Sequence, residues 1–272
     1  LSISRLKKSI TFRFVIISWF VRVLFYNSIM QHSLDFGTPN QLDIIHNRLK
    51  AHYGSPAAGL RFSPIEMLVM AMLGSRTRDY VSLRAYHNLQ RKFETPQVLA
   101  YADPEDVYGC IREITFARTY AAYIPEALQA IIRKCGALDL ESLRSMAVEQ
   151  ALTWLQSLRG VGPKISACVL NFSELQMRAL VIDTHYLRFA LRFQLVHGDM
   201  RANAAAAIRA IQRLVPDAWL AADTEQHHVL VKRLAQEFCV SGTPRCHGCP
   251  LQDACPYAAF RGFGRPRSGS GL

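Results

Sequence analysis

With 272 residues, half of them apolar, the chain has ample material for one or two domains with cores of their own. Lys and Arg outnumber Asp and Glu by 32 to 21, and a net charge of +11 favours an anionic partner, either nucleic acid or an acidic membrane surface. Seven cysteines, an odd number with four crowded into one short stretch, argue against a secreted disulfide framework.

Residues 1–34 contain no acid; the first is Asp35. The charge-free, mostly apolar run from Phe14 to Val21 is too short to cross a bilayer, which takes ~20 residues. No membrane association is predicted. A basic, acid-free, apolar leader has the character of an organellar transit peptide. The alternative is a true start at Met30, the first methionine, with an over-extended reading frame before it. Residues 1–36 are therefore set aside as an extension outside the fold.

Beyond them the pattern is helical almost throughout. "QLDIIHNRL" repeats apolar residues at helical spacing. "SPIEMLVMAMLG" opens with Ser63 as N-cap, Pro64 at the first position and Glu66 closing a capping box; its interior is apolar on every side, which predicts a central helix ended by Gly74. "SRTRD" is a polar loop, and Asp79 is expected to cap the helix "YVSLRAYHNLQRKF". Asp103 and Pro104 start another. Further helices are expected over 117–135, 140–146, 147–158, 163–172, 184–194, 202–214 and 224–238. No stretch alternates over strand length and no Asn-Gly hairpin signal occurs, so the fold class is all-α. Cys110, Cys135 and Cys168 sit among apolar neighbours and read as buried small hydrophobes. The Gly/Ser/Arg-rich tail, residues 258–272, is expected to be disordered.

"LRGVGPKISACVLNF", Leu158 to Phe172, reads as a helix, a Gly-x-Gly turn and a second helix opened by Pro163. The glycines at 160 and 162 permit unusual backbone geometry and let a ligand approach the main chain. Free N–H groups at the second helix's start make an anion site suited to a phosphate. Such a hairpin is expected to grip a nucleic-acid backbone and not to read base sequence; the alternative is an ordinary helix–turn–helix corner. Lys164 stands in the first turn, the end where a helix disfavours cations. Partial desolvation there disfavours the ammonium form and leaves neutral amine, a nucleophile able to form a Schiff base. The plainer role is a phosphate-binding or solvated lysine. Asp183 follows an apolar triplet in "ALVIDTHYLRF", at the edge of a core, where a carboxylate can stabilise positive charge on a sugar or simply cap a helix. His185 and Arg188 lie on the helix that follows, as structural pairs or phosphate contacts.

"CVSGTPRCHGCPLQDAC" places Cys239, Cys246, Cys249 and Cys255 at intervals of six, two and five. Four thiols in so short a polar stretch indicate metal ligation. Zinc sites commonly pair two Cys-x-x-Cys knuckles; only one close pair is present here, which favours a [4Fe–4S] cluster while leaving zinc open. Arg245 and His247 lie in the same loop, where a basic surface can press on a phosphate backbone.

Taken in order, "LRGVGPKISACVLN", "VIDTH", "HHVLVKRLAQEFC" and the six–two–five cysteines resemble the endonuclease III family of DNA glycosylases, over roughly residues 38–257. The resemblance implies a two-domain helix–hairpin–helix DNA glycosylase fold. Residues 65–178 would form a six-helix barrel containing the hairpin at about 155–172. Residues 37–64 and 179–257 would form an iron–sulfur domain, with the DNA groove between the two. It implies that a monomer flips a damaged nucleotide out of double-stranded DNA. Lys164 would attack C1′ and form the Schiff base that permits β-elimination at an abasic site, Asp183 would assist, and Arg76, Gly160, Gly162, Lys164, His185 and Arg245 would meet DNA. The related adenine glycosylases place a catalytic Glu on the helix before the polar loop; here the position nearest to it is Ala71, and Glu66 fits the cap instead. Where the family usually has a glutamine that fills the hole left by the flipped base, this chain has Arg76 in "MLGSRTRD". One extra residue also lies between Lys164 and Asp183. Both departures touch lesion and opposite-base preference. A monofunctional glycosylase and a non-catalytic iron–sulfur DNA-binding protein are the competing readings. Bacterial cytoplasm, with the nucleoid, is the expected location, and residues 1–34 leave organellar targeting open.

Overall fold

The computed structural model describes residues 40–57, 59, 61–196 and 203–263. The extension at residues 1–36 and the tail from residue 264 onward lie outside them. Among the described residues the regular structure is helical throughout, with one isolated bridge, between Phe62 and Ser173.

Helix α1 (Gln41–Tyr53) is followed by α2 (Pro64–Leu73), the helix with the strongest start signal. Ser63 Oγ accepts from Glu66 N at 3.3 Å, and Glu66 Oε2 accepts from Ser63 N at 3.0 Å, so two free helix-end donors are satisfied reciprocally. Eight of its ten residues are buried, as an all-apolar helix demands. Helices α3 (Asp79–Lys92), α4 (Pro96–Ala100), α5 (Pro104–Ile111) and α6 (Ala117–Cys135) follow. Asp103 caps α5 as expected, accepting from Glu105 N at 2.8 Å. Asp79 does not cap α3. Arg78 occupies the cap position with no side-chain bond, and Asp79, already inside the helix, turns its carboxylate to Lys232.

The helix expected over 140–146 is a 3-10 turn, Glu141–Ser145. Its apolar residues are too few to anchor more than one turn. Helices α7 (Val148–Gln156), α8 (Pro163–Phe172), α9 (Thr184–Phe193), α10 (Ala204–Arg213) and α11 (Ala221–Glu237) complete the main set. A short α12 (Pro256–Phe260) lies in the region expected to be tail; Ala258 is buried and Phe263 O accepts from Gln252 Nε2 at 2.7 Å, so order extends to residue 263.

Two hydrophobic cores form. One gathers α2 to α8, with Leu68, Met72, Ile124, Leu128, Leu155 and Val169 at its centre. The other gathers α1, α9, α10 and α11, with Leu42, Ile45, Tyr186, Val231 and Leu234. Both belong to one compact unit that begins at Gln41. The extended segment 179–182 joins them in a way that follows from strand-like alternation. Ala179 and Val181 enter the first core, while Leu180 and Ile182 enter the second. Gln212 clamps this joint through both amide atoms, accepting from Leu180 N at 3.2 Å and donating to Leu180 O at 2.6 Å. Asn171, buried at the end of α8, donates to Met177 O, Ala221 O and Thr224 Oγ1 and so ties α8 to α11. The segment 179–182 ends at Asp183, and the joint therefore positions the site.

Candidate functional site

The hairpin between α7 and α8 turns at Gly160, whose φ of +80° lies in the left-handed region. A Cβ there would also stand 2.7 Å from Tyr123 Cδ2, so the position is closed to other residues twice over. Arg159 stacks on the same Tyr123 ring, 4.7 Å from its centroid, and pairs with Glu126. Gly162 is different. Its φ of −97° suits any residue, and nothing lies within 4 Å of where its Cβ would be. Gly162 thus keeps space open in front of the first turn of α8, where no side chain caps the free N–H groups.

The structure shows what the lysine at this helix start gains. A methyl group placed on Gly74 would sit 3.8 Å from Lys164 Nζ and 3.4 Å from Met70 O. The amine therefore lies against the carbonyl end of α2, where the helix field favours a cation and no side chain intrudes. Its cost at the start of α8 is offset by the end of another helix.

Asp183 is the N-cap of α9, Oδ1 accepting from Tyr186 N at 2.8 Å. Lys164 and Asp183 face a common set of neighbours. Cys168, one helical turn beyond Lys164, is buried, and the Lys164 charge acts on it. Burial pushes the Cys168 thiol up, with Lys164 and Lys232 pulling it down and Asp183 opposing them. His228 on α11 feels the same three charges. Burial holds its imidazole down, to about 4, and its Nδ1 lies 2.7 Å from Val181 O. An amine, a carboxylate, a buried thiol and a neutral imidazole thus converge where the two cores meet. Cys168, His228 and Lys232 complete this arrangement. The His227–His228 motif pointed to one of them; a cysteine at i+4 from a candidate lysine is a usable signal for another. The expectation that the three scattered cysteines are buried holds for Cys168; Cys135 is exposed and Cys110 half-buried.

The remaining sequence candidates fall elsewhere. Arg76 is exposed in the loop between α2 and α3 with φ +53°, and its carbonyl accepts from Thr115 Oγ1 at 2.7 Å. Glu66 is engaged in its cap. His185 lies 3.3 Å from Arg188 Nη2, and Arg188 donates to Cys239 O at 2.8 Å and Ala235 O at 2.9 Å, tying α9 to the cysteine loop. Arg245 is exposed in that loop.

Cys239, Cys246, Cys249 and Cys255 line one small cavity with Phe189, Phe193, Leu234 and Leu251. Arg192 Nη1 lies 3.4 Å from Cys239 Sγ. Burial pushes the Cys249 thiol up to about 11 and raises those of Cys246 and Cys255, each reinforced by its neighbouring cysteines. Among the described residues, no group of three or more His, Cys, Asp or Glu side chains is arranged to hold a single metal ion. Four thiols around an apolar space are nonetheless the donor set a multi-iron cluster uses.

Residues 69–217, spanning the hairpin, Lys164 and Asp183, match the family model of the HhH-GPD superfamily base excision DNA repair proteins. The chain belongs to this superfamily. It is 29% identical over 206 residues to Endonuclease III of Thermotoga maritima, covering 75% of this chain and 88% of that one. It is 28% identical over 225 residues to the chloroplastic Endonuclease III homolog 1 of Arabidopsis thaliana, covering 79% of this chain and 55% of the plant protein. In fold, the superfamily member described here matches an Endonuclease III trapped with DNA as a covalent intermediate, with a TM-score of 0.66 at 19% identity, over 83% of this chain and 99% of the other.

Proposed function

We propose that the chain is a base-excision-repair DNA glycosylase with AP-lyase activity. It would flip a damaged base from double-stranded DNA into a cleft between the two cores, release it and cut the strand. The observation that carries this reading is the placement of Lys164, beside the open first turn of α8, in one electrostatic neighbourhood with Asp183. The superfamily membership and the covalently trapped Endonuclease III of the same fold support it.

Lys164 Nζ bonds to C1′ of the extruded nucleotide, and the base leaves with the glycosidic electron pair and gains a proton. Opening of the sugar ring yields a protonated Schiff base. Loss of a C2′ proton then expels the 3′ phosphate, breaking the C3′–O bond. Asp183, with one oxygen held by Tyr186 N–H, keeps its other oxygen for the cationic sugar and the iminium. The open turn at Gly160 and Gly162 holds a backbone phosphate, with Arg76, His185 and Arg245 as further DNA contacts.

Cys239, Cys246, Cys249 and Cys255 would hold a [4Fe–4S] cluster, which supplies four iron–thiolate bonds that brace the loop on the second core. The purified protein should then contain iron and sulfide; stoichiometric zinc in a colourless protein overturns this assignment. We read the cores as two domains, residues 65–178 and residues 37–64 with 179–257. No described helix is long and apolar enough to cross a membrane, and a bacterial cytoplasmic location beside the nucleoid fits the DNA substrate.

Borohydride trapping tests the central claim. A covalent adduct should form with a duplex carrying an abasic site, and Lys164→Ala should abolish it. Failure of the natural protein to trap on abasic or damaged duplexes refutes the lyase assignment. A panel of single-lesion duplexes against all four opposite bases, with Arg76→Gln in parallel, then identifies the preferred lesion.

A further inference from the structure

We propose that Lys232 is a DNA-phosphate contact held in reserve by Asp79. On binding, a phosphate beside the extruded nucleotide replaces the carboxylate. This inference rests on the glycosylase reading above.

Lys232 lies on α11 one turn beyond His228, so the two share a helix face. That face looks toward the chemistry: the charge of Lys232 acts on both His228 and Cys168, as does that of Lys164. Two amines thus act on the same two side chains as the Asp183 carboxylate, an arrangement suited to a polyanionic substrate. Lys232 also belongs to the helix of the second core, whereas its partner starts α3 in the first. Its Nζ lies 3.1 Å from Asp79 Oδ2.

The two ends of this ion pair are unequally placed. The Lys232 side chain is 31% exposed, but that of Asp79 is 87% exposed. A well-hydrated carboxylate holds its partner weakly, and a DNA phosphate, which releases condensed counterions when neutralised, competes well for the same amine. Asp79 is moreover an acid at the start of α3, directly after the Arg76–Arg78 loop that the proposed function turns toward DNA. An acid there opposes DNA binding unless it serves a purpose. It does not cap α3; it holds the amine of a partly buried lysine on the helix face that carries His228.

The test is a salt titration of binding to a duplex carrying a tetrahydrofuran abasic analogue. The natural protein is compared with Lys232→Met, Lys232→Arg, Asp79→Asn and the double variant Asp79→Asn/Lys232→Met. Loss of one phosphate contact lowers the slope of log K against log salt by about 0.9, and affinity at low salt by roughly three- to tenfold, in Lys232→Met. Lys232→Arg restores both. Asp79→Asn tightens binding, and most of that gain disappears in the Lys232→Met background. A wild-type slope in Lys232→Met, with or without a lower melting temperature, overturns the proposal and leaves a structural tether. An Asp79→Asn gain of equal size in both backgrounds overturns it as well. Borohydride trapping by the natural protein is scored separately, so failure of the lyase reading is distinguishable from failure of this contact.

Discussion

At the scale of single residues, the two glycines of the hairpin separate stability from recognition. Gly160 has positive φ and a Tyr123 ring 2.7 Å from any added Cβ. Alanine there meets the left-handed penalty of ~1–2 kcal/mol and must also displace a ring that Arg159 covers. Gly160→Ala should therefore lower unfolding free energy by about 2 kcal/mol or more in urea titrations. Gly162 has an ordinary φ and open space around it. Gly162→Ala should leave stability within ~0.5 kcal/mol of the natural protein while weakening binding to an abasic duplex, because a methyl group intrudes on the approach to the α8 N–H groups. Equal losses of stability at the two positions would show that the hairpin is not divided in this way.

At the scale of elements, Asp183 has an observed role as the cap of α9 and a proposed role in base release, and one substitution can part them. Asparagine caps a helix about as well as aspartate, whereas alanine costs ~1 kcal/mol. Asp183→Asn should thus melt with the natural protein and bind DNA, yet lose base release; Asp183→Ala should lose both activity and a few degrees of melting temperature, roughly 2–4 °C for a chain of this size. Retained base release in Asp183→Asn would leave the carboxylate as a cap alone. The helices themselves were largely legible, because their start signals are local. Ser63, Asp103 and Pro163 each mark a boundary within a few residues, and the all-apolar run of α2 declares its burial. Asp79 misled because an acid before a helix has two local uses, and its true partner, Lys232, lies 153 residues away and is brought to it only by the tertiary fold. The sequence named the two principal candidates of the proposed site, Lys164 and Asp183, but not their setting. That Lys164 rests on the carbonyl end of α2, and that Val181 and Ile182 enter different cores ahead of Asp183, are long-range facts no spacing encodes. Cys168 was read as core filler; it is buried as core filler would be, and the Lys164 charge also acts on its thiol.

At the scale of the whole molecule, three buried histidines couple the second core to pH. His46 and His227 stack with Trp219 at centroid distances of 5.1 and 4.9 Å, and His227 Nε2 lies 3.0 Å from Tyr186 OH. His228 sits at the joint with the first core. Burial is the main cause holding all three below their usual value of 6.5. Lys50 adds to the effect on His46, against Asp43 and Asp223; His46 and His228 add to it on His227; for His228, Lys232 and Lys164 act with burial against Asp183 and the Val181 carbonyl. The sign follows from proton counting. Below pH 6.5 the unfolded chain takes up protons at these sites that the folded chain refuses, so stability is full above 6.5 and falls as pH drops toward the folded values, about 4 for His228. Each histidine contributes a slope of at most ~1.4 kcal/mol per pH unit in that window. Urea midpoints should therefore decline steeply between pH 6.5 and 4.5, and His227→Gln, which can keep a bond to Tyr186, should decline less steeply. The second core carries both Asp183 and the cysteine loop, so acid should loosen the site and the proposed cluster together. An unchanged slope in His227→Gln would move the acid sensitivity away from this histidine and onto the carboxylate ion pairs of the surface.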